Sequence, residues 1–383
     1  MSVTAASGFT AAGVAAGLKG FGKRDLALVV NEGPLRSAAA VFTSNRAKAN
    51  PIIWSGQVIA DGTVSAIVLN SGGANCFTGA EGFQTTHATA EAVADALGVS
   101  AGDVLVCSTG LIGEQLDRAK LVAGVHAAAA ALTERGGADA VEAIMTTDSK
   151  PKTAVMKRDG WTIGGMAKGA GMLAPGLATM LVVITTDAVL LPAALDTALR
   201  AATRVSFDRL DSDGCMSTND QVTLLASGAS GLEPEPAAFT AALVELCQDL
   251  ARQLQADAEG ASHDIAIEVV GAASEDDAVE VGRAVARSNL FKAAVFGNDP
   301  NWGRVLAAIG TTSAAFDPYA VDVSMNGVRV CSAGGPDRPR TEVDLRPRAV
   351  HVLIELHAGA ERATILSNDL THDYVHENSA YAS

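Results

Sequence analysis

Two periodicities alternate along the chain. Short strand-like runs at residues 65–69 and 103–106 flank an amphipathic helical stretch at 84–97 that Gly98 ends. This is the rhythm of an α/β fold. Asp159-Gly160 and Asn326-Gly327 each sit between short strand-like runs, the chemistry of tight hairpin turns, so antiparallel pairing is expected beside any parallel pairing. The predicted class is therefore α/β with mixed parallel and antiparallel sheets and packed helices. The clearest helix starts near Pro236 and places Phe239, Leu243, Leu246, Leu250 and Leu254 at steps of three and four before Gly260. Its carboxyl end delivers Glu259 to a loop. The Gly-, Glu- and Pro-containing stretch 228–236 is the best linker candidate. No repeat of solenoid period is present. At roughly 150 residues per domain, 383 residues hold two or three domains or one large intertwined unit.

The segment with the most chemistry is Lys168-Gly-Ala-Gly-Met-Leu-Ala-Pro175-Gly-Leu-Ala178-Thr179-Met180, which leads into Leu181-Val-Val-Ile184. The four apolar residues read as a buried strand with Thr179 at its mouth. A hydroxyl placed after a small residue and a Gly/Pro turn can attack a strained peptide beside it. Attack on the Ala178 carbonyl would cleave the chain and leave Thr179 as a new N-terminus. That residue would own both a nucleophile and a base, since an α-amine titrates near pH 8. The plain alternative is a threonine packed at the start of a strand.

A second segment, Cys107-Ser108-Thr109-Gly110, follows the run at 103–106 and offers a hydroxyl and a backbone N–H to an anion, or else forms an ordinary strand-to-helix turn. The glycine-rich segment Asn70-Ser-Gly-Gly-Ala-Asn75 lacks both GxGxxG spacing and the lysine of a phosphate loop.

Composition removes several occupations. Against 28 Lys plus Arg stand 43 Asp plus Glu, a formal charge of −15, which disfavours nucleic acid as a partner. Apolar residues make up 48% and aromatics 4%, too hydrophobic for disorder and too poor in rings for an aromatic binding surface. The cysteines Cys76, Cys107, Cys215, Cys247 and Cys331 form no CxxC, and no HExxH accompanies His372 and His376 or His351 and His357, so neither a disulfide framework nor a metal site is expected. The first thirty residues lack a signal-like apolar core. The low-charge stretch 171–195 is broken by Pro175, Asp187 and Pro192 and reads as turn, strand and helix start, with no membrane partner. Cytoplasm is the expected address.

Four blocks in one order carry a resemblance: Met145-Thr-Thr-Asp148; Lys168-Gly-Ala-Gly-Met with Leu177-Ala-Thr-Met-Leu181; Ser217-Thr-Asn-Asp220; and Asp299-Pro-Asn-Trp-Gly-Arg304. Together they resemble the ornithine acetyltransferase family of arginine biosynthesis, from the Asn70 segment to the C-terminal Asn378 and Ser383. The resemblance implies a precursor that cleaves itself between Ala178 and Thr179, giving an α chain of residues 1–178 and a β chain of 179–383, intertwined, with two copies of each. It implies Thr179 as nucleophile, Thr109 and Gly110 as oxyanion stabilisers, and Thr146, Lys168, Thr179, Glu259, Asn378 and Ser383 as substrate contacts. The choice of Thr146 over Thr147 follows motif order alone. The implied reaction moves acetyl from N-acetyl-L-ornithine to L-glutamate through an acetyl-threonine. It requires no cofactor, with acetyl-CoA a second donor in bifunctional members. A self-processed amidase or aminopeptidase is the nearest alternative, and an uncleaved amino-acid-binding protein a more distant one.

Elementary chemistry agrees with these roles: substrate carboxylates need a cation such as Lys168, and Glu259 can meet the ornithine ammonium. Asn378 and Ser383 can serve only if the tail is tied down. The block Asn301-Trp302-Gly303-Arg304 reads as support, with the Trp packed and the Arg paired. Two departures stand out. Asp213-Gly214 is followed by Cys215 where the family usually has an acid, and the common Gly-Glu-Gly-Ala-Thr-Lys appears as Ala258-Glu-Gly-Ala-Ser-His263. Cys215 is expected to be a small buried filler.

Overall fold

The structure, a computed structural model, describes residues 2–174 and 180–380. The apolar run begins the strand Leu181–Thr186, buried throughout. Leu181 and Val183 enter one core with Phe9, Val29, Ile67 and Leu105. Val182 and Ile184 enter another with Leu199, Leu243 and Leu250. A strand covered on both faces has no polar side to present, which is why the sequence shows no alternation there.

The layers follow from these two cores. One sheet has the order Ser37–Phe42, Gln221–Ala226, Leu181–Thr186, Trp161–Lys168, Lys152–Arg158. Its only parallel pair among the described residues joins Leu181–Thr186 to Gln221–Ala226. The facing sheet runs Phe9–Val14, Leu26–Asn31, Ala66–Asn70, Val104–Ser108, and its last pair is parallel. Helices Pro192–Arg204 and Pro236–Ala256 cover the outer face of the first sheet. Helices Gly79–Leu97 and Arg118–Ala130 cover that of the second. The result is a helix–sheet–sheet–helix stack. A third, six-stranded sheet packs with helices Glu275–Ala286, Asn289–Phe296 and Trp302–Ile309 around its own core.

Both expected hairpins are present. Residues 159–160 join Lys152–Arg158 to Trp161–Lys168. Asn326 (φ 45°) and Gly327 (φ 81°) join Asp322–Met325 to Val328–Ser332, with the left-handed pair that a tight antiparallel turn demands. The linker candidate 228–236 is not a boundary. The strand before it and the helix after it share one core. The passage to the third sheet is instead made by residues 257–263, between Pro236–Ala256 and Asp264–Ala272.

Two supporting expectations need correction. Cys215 is exposed, because Gly214 (φ 72°) turns the chain outward and Asp213 Oδ1 accepts the Cys215 N–H at 3.0 Å. Arg304 meets the Leu290 carbonyl rather than an acid, since Asn301 caps the helix and packs this block inside the third lobe. Among the described residues no helix is long and apolar enough to cross a membrane.

Candidate active site

Strand ends from the two stacked sheets meet at one edge. Val104–Ser108 ends beside Asn70, and Trp161–Lys168 ends at Lys168, paired with Leu181. Asn219 stitches the sheets together: its Nδ2 donates to the carbonyls of Ala74 at 2.6 Å and Ser108 at 2.8 Å. Thr109, the next residue, is buried, and its N–H donates to the Asn70 carbonyl at 3.0 Å. Gly110 has φ 128°, and a Cβ there would lie 2.9 Å from both N and Cα of Gly73. Only glycine fits that crossing without displacing backbone.

Lys168 reaches this turn from the facing sheet. Its side chain is buried, and Nζ donates to Thr109 Oγ1 at 3.3 Å, its one hydrogen-bond partner among the described residues. Burial pushes the ammonium pKa down, against the attraction of Asp148. Because the Thr109 oxygen accepts this bond, its own hydroxyl proton is left to point elsewhere, and the neighbouring cation makes it a stronger donor.

Asp148 organises the surrounding backbone. Its carboxylate accepts from Thr146 N at 3.0 Å, Gly169 N at 2.7 Å and Lys152 Nζ at 2.6 Å. Lys152 also pairs with Asp257 at 2.6 Å. Burial alone would raise the Asp148 pKa, but Lys168, Lys152 and the Gly169 N–H outweigh it and hold it at about 2. The carboxylate thus stays charged and ties the end of Trp161–Lys168 to the turn at 146–148.

Glu259 closes the other side. Its N–H donates to the Ala170 carbonyl at 3.0 Å, Thr147 Oγ1 donates to Oε1 at 2.7 Å, and Asn378 Nδ2 donates to Oε2 at 3.1 Å. A Cβ on Gly171 would sit 2.4 Å from Oε2, so the glycine makes room for the carboxylate. The tail is anchored as far as it is described: Thr371 Oγ1 donates to the Gly260 carbonyl at 2.6 Å and accepts Tyr374 N–H at 2.9 Å at the start of helix His372–Ala380.

Thr109, Lys168, Glu259 and Asn378 thus enter one connected edge, together with the backbone of Thr146 and the hydroxyl of Thr147. Ala178, Thr179 and Ser383 lie outside the described residues. The chain leaving residue 179 is fixed at its next position, where Met180 N donates to Asp220 Oδ1 at 3.0 Å and Gln221 N donates to the Met180 carbonyl at 3.2 Å. Asp220 is fully buried, and burial raises its pKa well above the ordinary carboxyl range despite the Met180 N–H and the Ser217 hydroxyl.

Sequence reasoning assigned no role to Asp148, Asn219 or Asp220, although each stands inside a motif block. Lys152 and Lys19 gave no signal at all. A cleft of about 480 Å³ opens beside Glu259 and is lined by Thr147, Asp257, Asp373 and Glu377, with Arg348 the one Lys or Arg. Thr109, Gly110 and Lys168 are not part of its wall. The described residues hold one group of three potential metal ligands, Asp322, Glu355 and His357. It belongs to the third sheet and contributes nothing to this edge.

Residues 10–383 match the ArgJ family. The arginine biosynthesis bifunctional proteins ArgJ of Streptomyces coelicolor and Thermobifida fusca are 66% and 62% identical, each over the full length of both chains. A crystal structure of the ornithine acetyltransferase of Mycobacterium tuberculosis complexed with ornithine is 53% identical, with 47% of this chain and 96% of that one covered and a TM-score of 0.45.

Proposed function

The chain belongs to the ArgJ family, and from that premise we propose that it moves acetyl from N-acetyl-L-ornithine to L-glutamate through an acetyl ester on Thr179. The observation that carries this reading is the buried Lys168–Thr109 contact at 3.3 Å, in which, among the described residues, the hydroxyl proton has no acceptor and the cation has no carboxylate in contact. Such a pair suits an oxygen that becomes negative during reaction.

The chain first cleaves between Ala178 and Thr179, giving chains of residues 1–178 and 179–383. The Thr179 amine then takes the proton of its own hydroxyl as Oγ attacks the acetyl carbonyl. Thr109 Oγ–H and Gly110 N–H stabilise the tetrahedral oxyanion. The C–N bond breaks, the proton passes to the departing ornithine amine, and the acetyl ester remains. The amine of glutamate attacks that ester, and the same steps in reverse release N-acetylglutamate and restore Thr179. One amide replaces a similar one, so no cofactor is required. The site has only to keep water out.

The edge supplies both substrate charges. Lys168 serves the carboxylate, while Glu259, at the mouth of an acidic cleft, serves the ornithine ammonium. The bifunctional name of the relatives extends the proposal to acetyl-CoA as a second donor to the same threonine. We also place the enzyme in the cytoplasm as an assembly of two α and two β chains, which native mass spectrometry would count. Initial rates with both substrates varied test the mechanism: a shared covalent intermediate gives parallel double-reciprocal lines, and intersecting lines overturn it.

A further inference from the structure

Lys19 lies at the same edge and has no role in the mechanism above. Its loop is held by the fully buried Asp25, whose carboxylate accepts the N–H groups of Ala16 at 2.6 Å, Leu18 at 2.6 Å and Lys19 at 2.8 Å. Leu18 packs so closely on Gly72 that a Cβ there would lie 2.4 Å from Leu18 Cβ. Gly73, the next residue, bridges to Thr109. On its other side, Lys19 Nζ donates to the Met145 carbonyl, directly before Thr146 and two residues before the Thr147 that holds Glu259. Lys19 therefore spans from the Thr109–Gly110 turn to the Thr146–Asp148 turn.

Its electrostatic setting is unusual. Burial, helped by the positive field of Lys168 and Lys23, lowers the Lys19 pKa to about 8 despite Asp25 and Asp148. Among the described residues neither Lys19 nor Lys168 forms an ion pair. Two partly or wholly desolvated ammonium groups near each other, each hydrogen-bonded only to a neutral oxygen, cost free energy unless anions arrive. The two substrates differ in how many anions they bring. N-acetylornithine carries one carboxylate and a distal ammonium, whereas glutamate carries two carboxylates.

We propose that Lys19 is the specificity residue of the acceptor half-reaction, binding the side-chain carboxylate of glutamate, while Glu259, hydrogen-bonded to the same 145–147 turn, takes the distal ammonium of ornithine. This assignment rests on the transfer reaction proposed above. Lys19 holds that turn through the Met145 carbonyl and Glu259 through the Thr147 hydroxyl, so one turn brings together opposite charges for the two substrates.

The test uses the self-processed full-length enzyme with the Lys19→Gln and Lys19→Arg variants. Glutamine replaces the charge and keeps a donor for the Met145 carbonyl, which guards the fold. In double-displacement kinetics kcat/KM for each substrate reports its own half-reaction. Loss of one charge-assisted bond is expected to lower kcat/KM for glutamate about 10- to 100-fold. The value for N-acetylornithine should change less than about threefold, in line with uniform loss confined to one half-reaction. Glutamine as an alternative acceptor supplies the reading that loss of loop structure would not move: Lys19→Gln should collapse the preference for glutamate over glutamine, and Lys19→Arg should retain most of it. Equal losses for both substrates, or an unchanged glutamate-to-glutamine preference, overturn the proposal. A wild-type enzyme with no transfer between the two substrates instead overturns the reaction on which it rests.

Discussion

The Lys168 ammonium nitrogen and the Thr109 hydroxyl oxygen lie 3.3 Å apart, both side chains buried, one from each of the two stacked sheets. In the proposed mechanism the oxyanion hole is the Thr109 hydroxyl and the Gly110 N–H, which follow a buried strand and are fixed by the crossing over Gly73, so the donors need little rearrangement as charge develops.

Thr109→Ala removes one such donor. Losing it costs roughly 2.7 to 4 kcal/mol of transition-state stabilisation, a drop in kcat of about a hundred- to a thousandfold. KM should change far less, because the full negative charge exists only in the tetrahedral state. Initial rates on fully processed protein check this. Near-normal turnover would return Thr109 to an ordinary turn residue.

Glu259→Gln keeps one acceptor oxygen for the Thr147 hydroxyl, gives up the one that takes Asn378 Nδ2, and removes the negative charge. Charge-assisted recognition of an ammonium is worth roughly 1.5 to 3 kcal/mol, so kcat/KM for N-acetylornithine should fall about 10- to 100-fold. Glutamate brings no distal ammonium, and its kcat/KM should hold or rise. Parallel losses for both substrates would mean that Glu259 only braces the 257–263 crossing.

Asp148 gives the fold a defined acid limit. Its pKa is about 2 in the folded chain against an ordinary 3.8, so the unfolded chain binds the proton more tightly. The stabilisation is complete above the ordinary value and is lost as pH falls toward 2. It amounts to about 2 kcal/mol. Urea midpoints of wild type and Asp148→Asn between pH 6 and 2 should converge as the acid limit is approached. Curves that stay parallel would assign the acid sensitivity to other carboxyls.

Asp220→Ala deprives the Met180 N–H of its buried acceptor, a loss of roughly 1 to 3 kcal/mol next to the bond to be cleaved. Uncleaved 38.9 kDa chain should accumulate and disappear slowly. Asp220→Asn retains an acceptor oxygen and matches the neutral form that burial favours, so it should cleave at close to the normal rate. Electrophoresis over time separates the two. If Asn blocks cleavage as fully as Ala, the charge of Asp220 is required and the positioning role is wrong.

Much of this was legible in the sequence because it depends on local pattern. The helix Pro236–Ala256 and the hairpin turns at 159–160 and 326–327 follow from side-chain period and turn chemistry. Thr109, Lys168 and Glu259 follow from the family resemblance, and the fold brings all three to one edge. What stayed hidden is what only pairing across long separations creates. Lys19 meets Met145, 126 positions away, and Asn219 joins two sheets through Ala74 and Ser108. No periodicity marks such residues. The stretch 228–236 has a linker's composition but is a polar turn inside one core, while the crossing at 257–263 carries the Glu259 carboxylate and lacks that composition. Cys215 failed for a similar reason: a cysteine is usually buried, but the left-handed Gly214 decides its direction.

Peptide mass spectrometry of the purified protein, quenched after mixing with N-acetyl-L-ornithine alone and again after glutamate is added, tests the central claim most directly. A chain beginning at Thr179 should appear, its N-terminal peptide gaining one acetyl group with the donor and losing it once glutamate is present. An enzyme that transfers acetyl while Ala178 and Thr179 remain joined, or while the acetyl never resides on Thr179, would contradict the account.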